Sequence, residues 1–242
     1  MRDRPELSLV MPAYNEGNII EEVIERVDCV VRQTGLRYEL ILVDDGSVDD
    51  TRMRAVNYAN NNSHVRVVGY GRNLGKGYAV KTGFADATGG AVVFIDSDLD
   101  IDPRQITRYV DALRYGDVVV ASKWHPQSRV EVPLMRKFLS YGFNVLVKLL
   151  TGIRLRDTQT GLKAVRRKAL ESVFSRLAVK RFAFDVELLA VANLYGLKVV
   201  ELPVNIRMRG LFNLREVWRM FIDLLGIAYR LRVLRWYQRA MK

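Results

Sequence analysis

The chain has 242 residues, 49% of them hydrophobic, which suits one globular domain with a full core. Its net charge of +11 is unevenly divided: residues 1–120 carry 14 basic and 19 acidic side chains, residues 121–242 carry 24 and 8, so two partners of opposite charge are expected. A single cysteine excludes an intrachain disulfide, no repeat or low-complexity tract is present, and no apolar run reaches the ~20 residues needed to cross a bilayer.

Leu7-Ser8-Leu9-Val10-Met11 reads as a strand that exits into Pro12-Ala13-Tyr14-Asn15-Glu16-Gly17. Strands at about 7–12, 38–44, 65–70 and 91–95 alternate with helical patterns at about 18–33, 50–61, 76–87 and 103–114. That βα rhythm predicts a doubly wound, mostly parallel sheet, and residues 117–121 continue it. Cys29, between Val27 and Val31, is expected on a packed helix face. His64 and His125 lack the spacing of a metal pair and are expected to be surface or structural. The charged stretch Met1 to Glu6 is followed by no apolar core, so no signal peptide is expected.

Past residue 122 the pattern becomes irregular: a loop at 123–132, an amphipathic helix at about 133–150, a loop at 152–161, helices near 167–176 and 184–195, and an extended run at 197–206. From Leu214 to Lys242, apolar residues recur at helical spacing among arginines, with Trp218, Trp236 and Tyr237 at hand. A helix lying in a membrane interface has this composition. A helix packing the same stripe on the domain or on a second subunit has it too.

The chemistry concentrates at strand exits. Asp96 and Asp98 directly follow the apolar run Ala91 to Ile95, and side chains two apart on extended backbone point the same way, which aims them, with Asp100, into one crevice. Carboxylates converging this way repel unless a cation neutralises them, and a hard divalent ion is the natural occupant. A second strand ends in Asp44-Asp45-Gly46-Ser47 and the first in Pro12 to Gly17, so three exits present ligand-type residues on what a parallel sheet makes one edge.

Pro12-Ala13-Tyr14-Asn15-Glu16, Asp44-Asp45-Gly46-Ser47, Asn73-Leu74-Gly75-Lys76-Gly77 and Asp96-Ser97-Asp98, in this order, resemble the inverting nucleotide-sugar glycosyltransferases of family 2. The later segments Met135 to Ser140, Asp157 to Lys163 and Arg181 to Leu188 resemble the branch of dolichyl-phosphate β-glucosyltransferase and dolichyl-phosphate mannose synthase, more closely the former. The resemblance spans roughly residues 7 to 210. It implies a GT-A (Rossmann-like) α/β fold over 1–212, with a nucleotide-sugar half at about 1–122 and an acceptor half at about 123–212; the basic amphipathic helix at 213–242 would be a membrane-interface anchor or would pack on the domain or a second subunit.

The resemblance also implies roles. Pro12, Ala13, Tyr14, Glu16 and Asp44 would line the base and ribose pocket, Asp96 would contact the ribose side, and Asp98 with Asp100 would hold Mg²⁺ or Mn²⁺. Lys76 would approach the nucleotide or be a solvated residue beside a glycine cap. Lys123 and Arg136 would hold the acceptor phosphate, and with Asp96 and Asp98 they form the expected catalytic set. Asp157, Thr160 and Gly161 would shape the sugar pocket or form a helix-capping turn. Asp185 and Glu187 would touch sugar hydroxyls, or Asp185 would cap its helix. By their place after the strand ending at Ile206, Arg207 and Arg209 would close over the pyrophosphate on a mobile loop at Gly210, or form a solvated basic loop.

The expected activity is transfer of a hexose from UDP-glucose or GDP-mannose to polyprenyl (dolichyl) phosphate. The product would be β-linked, and the enzyme peripheral on the cytoplasmic face of the membrane, with a homodimer left open. Transfer to a sugar hydroxyl is the alternative within enzymes. A basic nucleic-acid-binding module is the alternative of another class, and it leaves the acidic strand exits unexplained.

Overall fold

The computed structural model describes residues 4–208 and 214–240. The βα alternation is realised as β1 (Leu7–Ala13), α1 (Ile20–Arg32), β2 (Tyr38–Asp44), α2 (Thr51–Asn60), β3 (Val65–Gly69), α3 (Lys76–Asp86), β4 (Ala91–Phe94), α4 (Ile106–Ala112) and β5 (Val118–Ser122). The second half adds β6 (Arg129–Glu131), α5 (Leu134–Thr151), β7 (Lys163–Arg166), α6 (Arg167–Phe174), α7 (Phe184–Leu194), β8 (Val199–Pro203), β9 (Asn205–Arg207) and α8 (Leu214–Arg232).

Seven strands form one sheet in the order β3-β2-β1-β4-β7-β5-β8. All neighbours are parallel except β7, which runs antiparallel to both β4 and β5. Because strand side chains alternate between faces, the apolar strands feed two cores. Val10, Ile41, Val43, Val92 and Phe94 face one with α3, α6 and α7, while Leu9, Met11, Leu40, Leu42 and Val93 face the other with α1 and α4.

Three departures from the sequence reading have physical causes. Strand β7 was not expected: Lys-Ala-Val-Arg is four residues with a charge at each end, and it becomes a strand because β4 and β5 satisfy its backbone on both sides. Strand β6 falls within the expected loop at 123–132 and pairs with β9. Cys29 is exposed rather than packed, because α1 buries Val23, Ile24, Val27, Asp28 and Val31 and so turns position 29 to solvent.

The C-terminal segment is not one continuous helix. It ends at Arg232, the amides of Val233 and Leu234 donate to the carbonyl of Tyr229, Arg235 adopts φ +50°, and the chain reverses. The reversal inserts Tyr237, fully buried, beside Leu224 and Ile227 of α8 in the first core. There the Tyr237 hydroxyl donates to Glu187, a fully buried carboxylate on α7. Glu187 also accepts from the amides of Ala178 (2.9 Å) and Val179 (2.8 Å) and from Arg230 Nη2 at 3.2 Å. Tyr237→Phe removes one donor from a buried charged acceptor and is expected to lower unfolding free energy by about 1–3 kcal/mol in urea denaturation.

Candidate active site

The parallel register puts the three acidic exits on one edge. Ala13 pairs with Asp44 across β1 and β2, and the amide of Ile95, just past β4, donates to Val10 of β1. The loops after β1 and β2 interlock: the amides of Asn15, Glu16 and Gly17 donate to Ser47 Oγ, Thr51 Oγ1 and Asp49 Oδ2 at 3.0, 2.8 and 3.0 Å. Ser97, between the two acids after β4, donates its hydroxyl to the carbonyl of Pro12 at 3.0 Å. The strand exits are therefore tied to one another, which fixes a concave floor.

Two cavities share that floor. The smaller, about 370 Å³, is lined by Pro12, Ala13, Tyr14, Glu16 and Asp45. The larger, about 590 Å³, is lined by Lys123, Trp124 and Arg136 together with residues of α5 and α8. Lys76, Asp96, Asp98, Phe182 and Glu216 line both. Lys76 Nζ lies 2.7 Å from Asp96 Oδ1 and 2.9 Å from Oδ2. Burial alone would lower its pKa, but the charges of Asp96 and Asp185 raise it. It is thus an ion-paired member of the floor and not a solvated lysine.

Asp98 has the opposite environment. Burial, then the charges of Asp96 and Asp100, push its carboxyl up to about 7. Glu16 is raised as well, by burial and then by Asp49 and Asp100. Oxygen donors whose mutual repulsion Lys76 compensates only in part suit a hard divalent cation, so the residues present fit such an ion. Among the described residues no three His, Cys, Asp or Glu side chains close around one point.

The loop at 157–161 builds the wall next to Asp96. Asp157 accepts from the Lys123 amide at 2.9 Å and the Thr160 hydroxyl at 2.6 Å, and Lys123 Nζ lies 3.1 Å from it and 2.9 Å from Thr160 Oγ1. Burial would raise the Asp157 carboxyl; the Lys123 charge, the Thr160 hydroxyl and backbone amides outweigh it and hold it below the usual range. Gly161 abuts Asp96 so closely that a Cβ there would fall 2.0 Å from Asp96 Oδ2. Gly75, at φ +103°, begins α3 where a Cβ would meet the carbonyl of Lys180 at 2.6 Å.

Several expected residues sit elsewhere. Asp44 turns inward, 1% exposed, and caps the Ser47 amide, while its neighbour Asp45 lines the smaller cavity and ties the 70–75 segment through Tyr70, Asn73, Leu74 and Gly75. Glu187 lines neither cavity; two residues from Asp185 on a helix, it faces the core. Asp185 does line the larger cavity and lies inside the first turn of α7, whose cap position is Ala183. Arg207 pairs with Glu131 at 2.6 Å instead of facing the floor, and Arg209 and Gly210 lie outside the described residues. His125, expected to be peripheral, lines the larger cavity, as do Trp124 and Met220, which no motif marked.

A family model described as Glycosyl transferase family 2 matches residues 8–174. Dolichyl-phosphate beta-glucosyltransferase of Mus musculus is 33% identical over 221 residues, covering 83% of this chain and 67% of that protein. Glycosyltransferase AglD of Haloferax volcanii is 33% identical over 210 residues, covering 85% of this chain, which spans only about a third (34%) of AglD. Among solved structures, glucosyl-3-phosphoglycerate synthase from Mycobacterium tuberculosis in complex with Mn²⁺, UDP-glucose and phosphoglyceric acid aligns with a TM-score of 0.71 at 23% identity, over 93% of this chain and 79% of that one. The chain belongs to glycosyl transferase family 2, in the branch of the dolichyl-phosphate β-glucosyltransferases, and has the GT-A type of fold.

Gly161→Ala is expected to push Asp96 off Lys76 and, by misplacing the floor, to lower glycosyl transfer on the order of 10²-fold while the protein stays folded by circular dichroism.

Proposed function

We propose that this member of glycosyl transferase family 2 moves glucose from UDP-glucose to the phosphate of a polyprenyl (dolichyl-type) lipid, with inversion, at the cytoplasmic face of a membrane. One observation carries the reading: two cavities of different character meet at Lys76, Asp96 and Asp98. The smaller, walled by Pro12, Ala13, Tyr14 and Asp45, suits a nucleoside, and the larger, holding Lys123 and Arg136, suits an anionic acceptor. The names of the relatives support the same donor and acceptor classes.

The chemistry follows from charge. The bond from the anomeric carbon to the diphosphate oxygen breaks, its electron pair leaves with UDP, and an oxygen of the acceptor phosphate forms the new bond from the opposite face. A phosphate oxygen is already anionic, so no base is required; what the protein provides is position. Lys123, anchored by Asp157 and Thr160, and Arg136 on α5 attract the acceptor phosphate. Asp98, with Asp100, would hold a divalent cation, Mg²⁺ or Mn²⁺, which when bound would supply Lewis-acid neutralisation of the leaving diphosphate. Asp157, Thr160 and Gly161 act indirectly, by setting Lys123 and Asp96.

The lipid reaches this site across a surface made by α5 and α8, which also wall the larger cavity. Leu134, Phe138, Tyr141 and Leu149 of α5 and Trp218, Ile222 and Tyr229 of α8 are exposed. Arg215, Arg219, Arg232 and Lys148 stand among them, the composition of a surface that lies in an anionic headgroup layer. Among the described residues no helix is long and apolar enough to cross a membrane.

Purified protein given UDP-glucose, GDP-mannose or other nucleotide sugars with a short polyprenyl phosphate and Mg²⁺ or Mn²⁺ is expected to form the polyprenyl-phosphate glucose, identified by mass. A product made only with GDP-mannose would change the donor, and one made only on a sugar hydroxyl would change the acceptor class. Asp98→Asn is expected to lower turnover by about 10²-fold or more, the scale of several kcal/mol of lost charge stabilisation; unaltered turnover would remove Asp98 from the site. The double variant Phe138→Ser, Trp218→Ser, at positions 73% and 64% exposed, is expected to release the protein from anionic vesicles in flotation without changing its thermal midpoint.

A further inference from the structure

Lys163 is a buried cation that the proposed chemistry does not use. It sits on β7, is 1% exposed, and lines neither cavity. Its Nζ donates to the carbonyl of Thr160 at 2.6 Å and lies 2.9 Å from Asp185 Oδ1. The other oxygen, Asp185 Oδ2, is 3.8 Å from Lys76 Nζ, too far for a hydrogen bond, and Lys76 is itself spread across both oxygens of Asp96. Four side chains of alternating sign thus run from the middle of the sheet to the junction of the cavities.

Burying an ammonium inside a sheet is strongly unfavourable unless its partner is fixed, and an apolar residue of similar volume would fill the position without that penalty. What the charge adds is geometry. With Oδ1 held by Lys163, Asp185 cannot swing toward Lys76 and complete a second close ion pair there. That leaves Oδ2 without a close ion pair, on a side chain that lines the larger cavity as Asp96 and Asp98 do.

We infer that Lys163 is a positioning residue that holds Asp185 so that Oδ2 accepts hydrogen bonds from hydroxyls of the hexose being transferred. This rests on the nucleotide-sugar reading above. On that reading the nucleoside takes the smaller cavity, which neither Asp185 nor Lys163 lines, so the two residues would govern recognition of the sugar more than of the nucleotide.

The experiment is calorimetric titration of UDP and of UDP-glucose, each with Mn²⁺, into the wild-type protein, Lys163→Met, Asp185→Asn and the double variant. Affinity for UDP is expected to stay within about twofold, while the affinity for UDP-glucose relative to UDP falls on the order of tenfold in each single variant. The double variant is expected to fall no further, because one residue acts through the other. A residue with a merely structural role would move both ligands together. An unchanged ratio in either single variant, or a double variant whose loss multiplies the two single losses, would overturn the inference. If Lys163→Met is not recovered folded, Lys163→Gln carries the same comparison, and Asp185→Asn decides the sugar contact on its own. Wild-type protein that binds no UDP would instead overturn the donor reading, and this inference with it.

Discussion

The ion pair between Lys76 and Asp96 is the contact on which the rest of the site depends. It joins the first residue of α3 to the exit of β4, and each partner is held by something else: Lys76 by the glycine turn that begins its helix, Asp96 by the close approach of Gly161. A cationic lysine there lets Asp96 sit beside Asp98 and Asp100 without repulsion governing the whole loop. The remaining imbalance is felt by Asp98, whose carboxyl is pushed up by burial and by its acidic neighbours. That imbalance is of the kind a hard cation relieves.

The second half of the chain completes the floor by insertion. Strand β7 enters antiparallel between β4 and β5, which brings the 157–163 segment alongside Asp96 and carries Lys163 into the sheet. The same insertion lets Asp157 and Thr160 hold Lys123 at the end of β5. A tight loop, a buried lysine and the anchoring of Lys123 are thereby products of one strand.

The C-terminal segment belongs to two environments. One face of α8 buries Leu224 and Ile227 and is locked to α7 through Arg230 and Tyr237 on Glu187, while Trp218, Ile222 and Tyr229 stand exposed. Of the readings left open by its helical spacing, packing on the domain is realised by Leu224 and Ile227, while the exposed residues of the same helix are those assigned to the proposed membrane surface. Glu187 is where the sequence reading erred most instructively: it lies in the same motif as Asp185, but two positions on a helix turn a side chain to another face, and the motif alone does not reveal which face is solvent.

Strand exits after 12, 44 and 95 were legible because apolar runs ending in acid report both a buried strand and its open end, and parallel order then forces those ends to one edge. Nothing comparable marked β7, four residues with a lysine and an arginine at its ends, or the choice of Asp45 over Asp44 at the cavity wall. Local pattern is enough where a segment's own hydrophobicity sets its burial. Lys163, Gly161 and Glu187 take their meaning from partners distant in the chain, and only the packed structure, by fixing which charge meets which across the sheet, decided what they do.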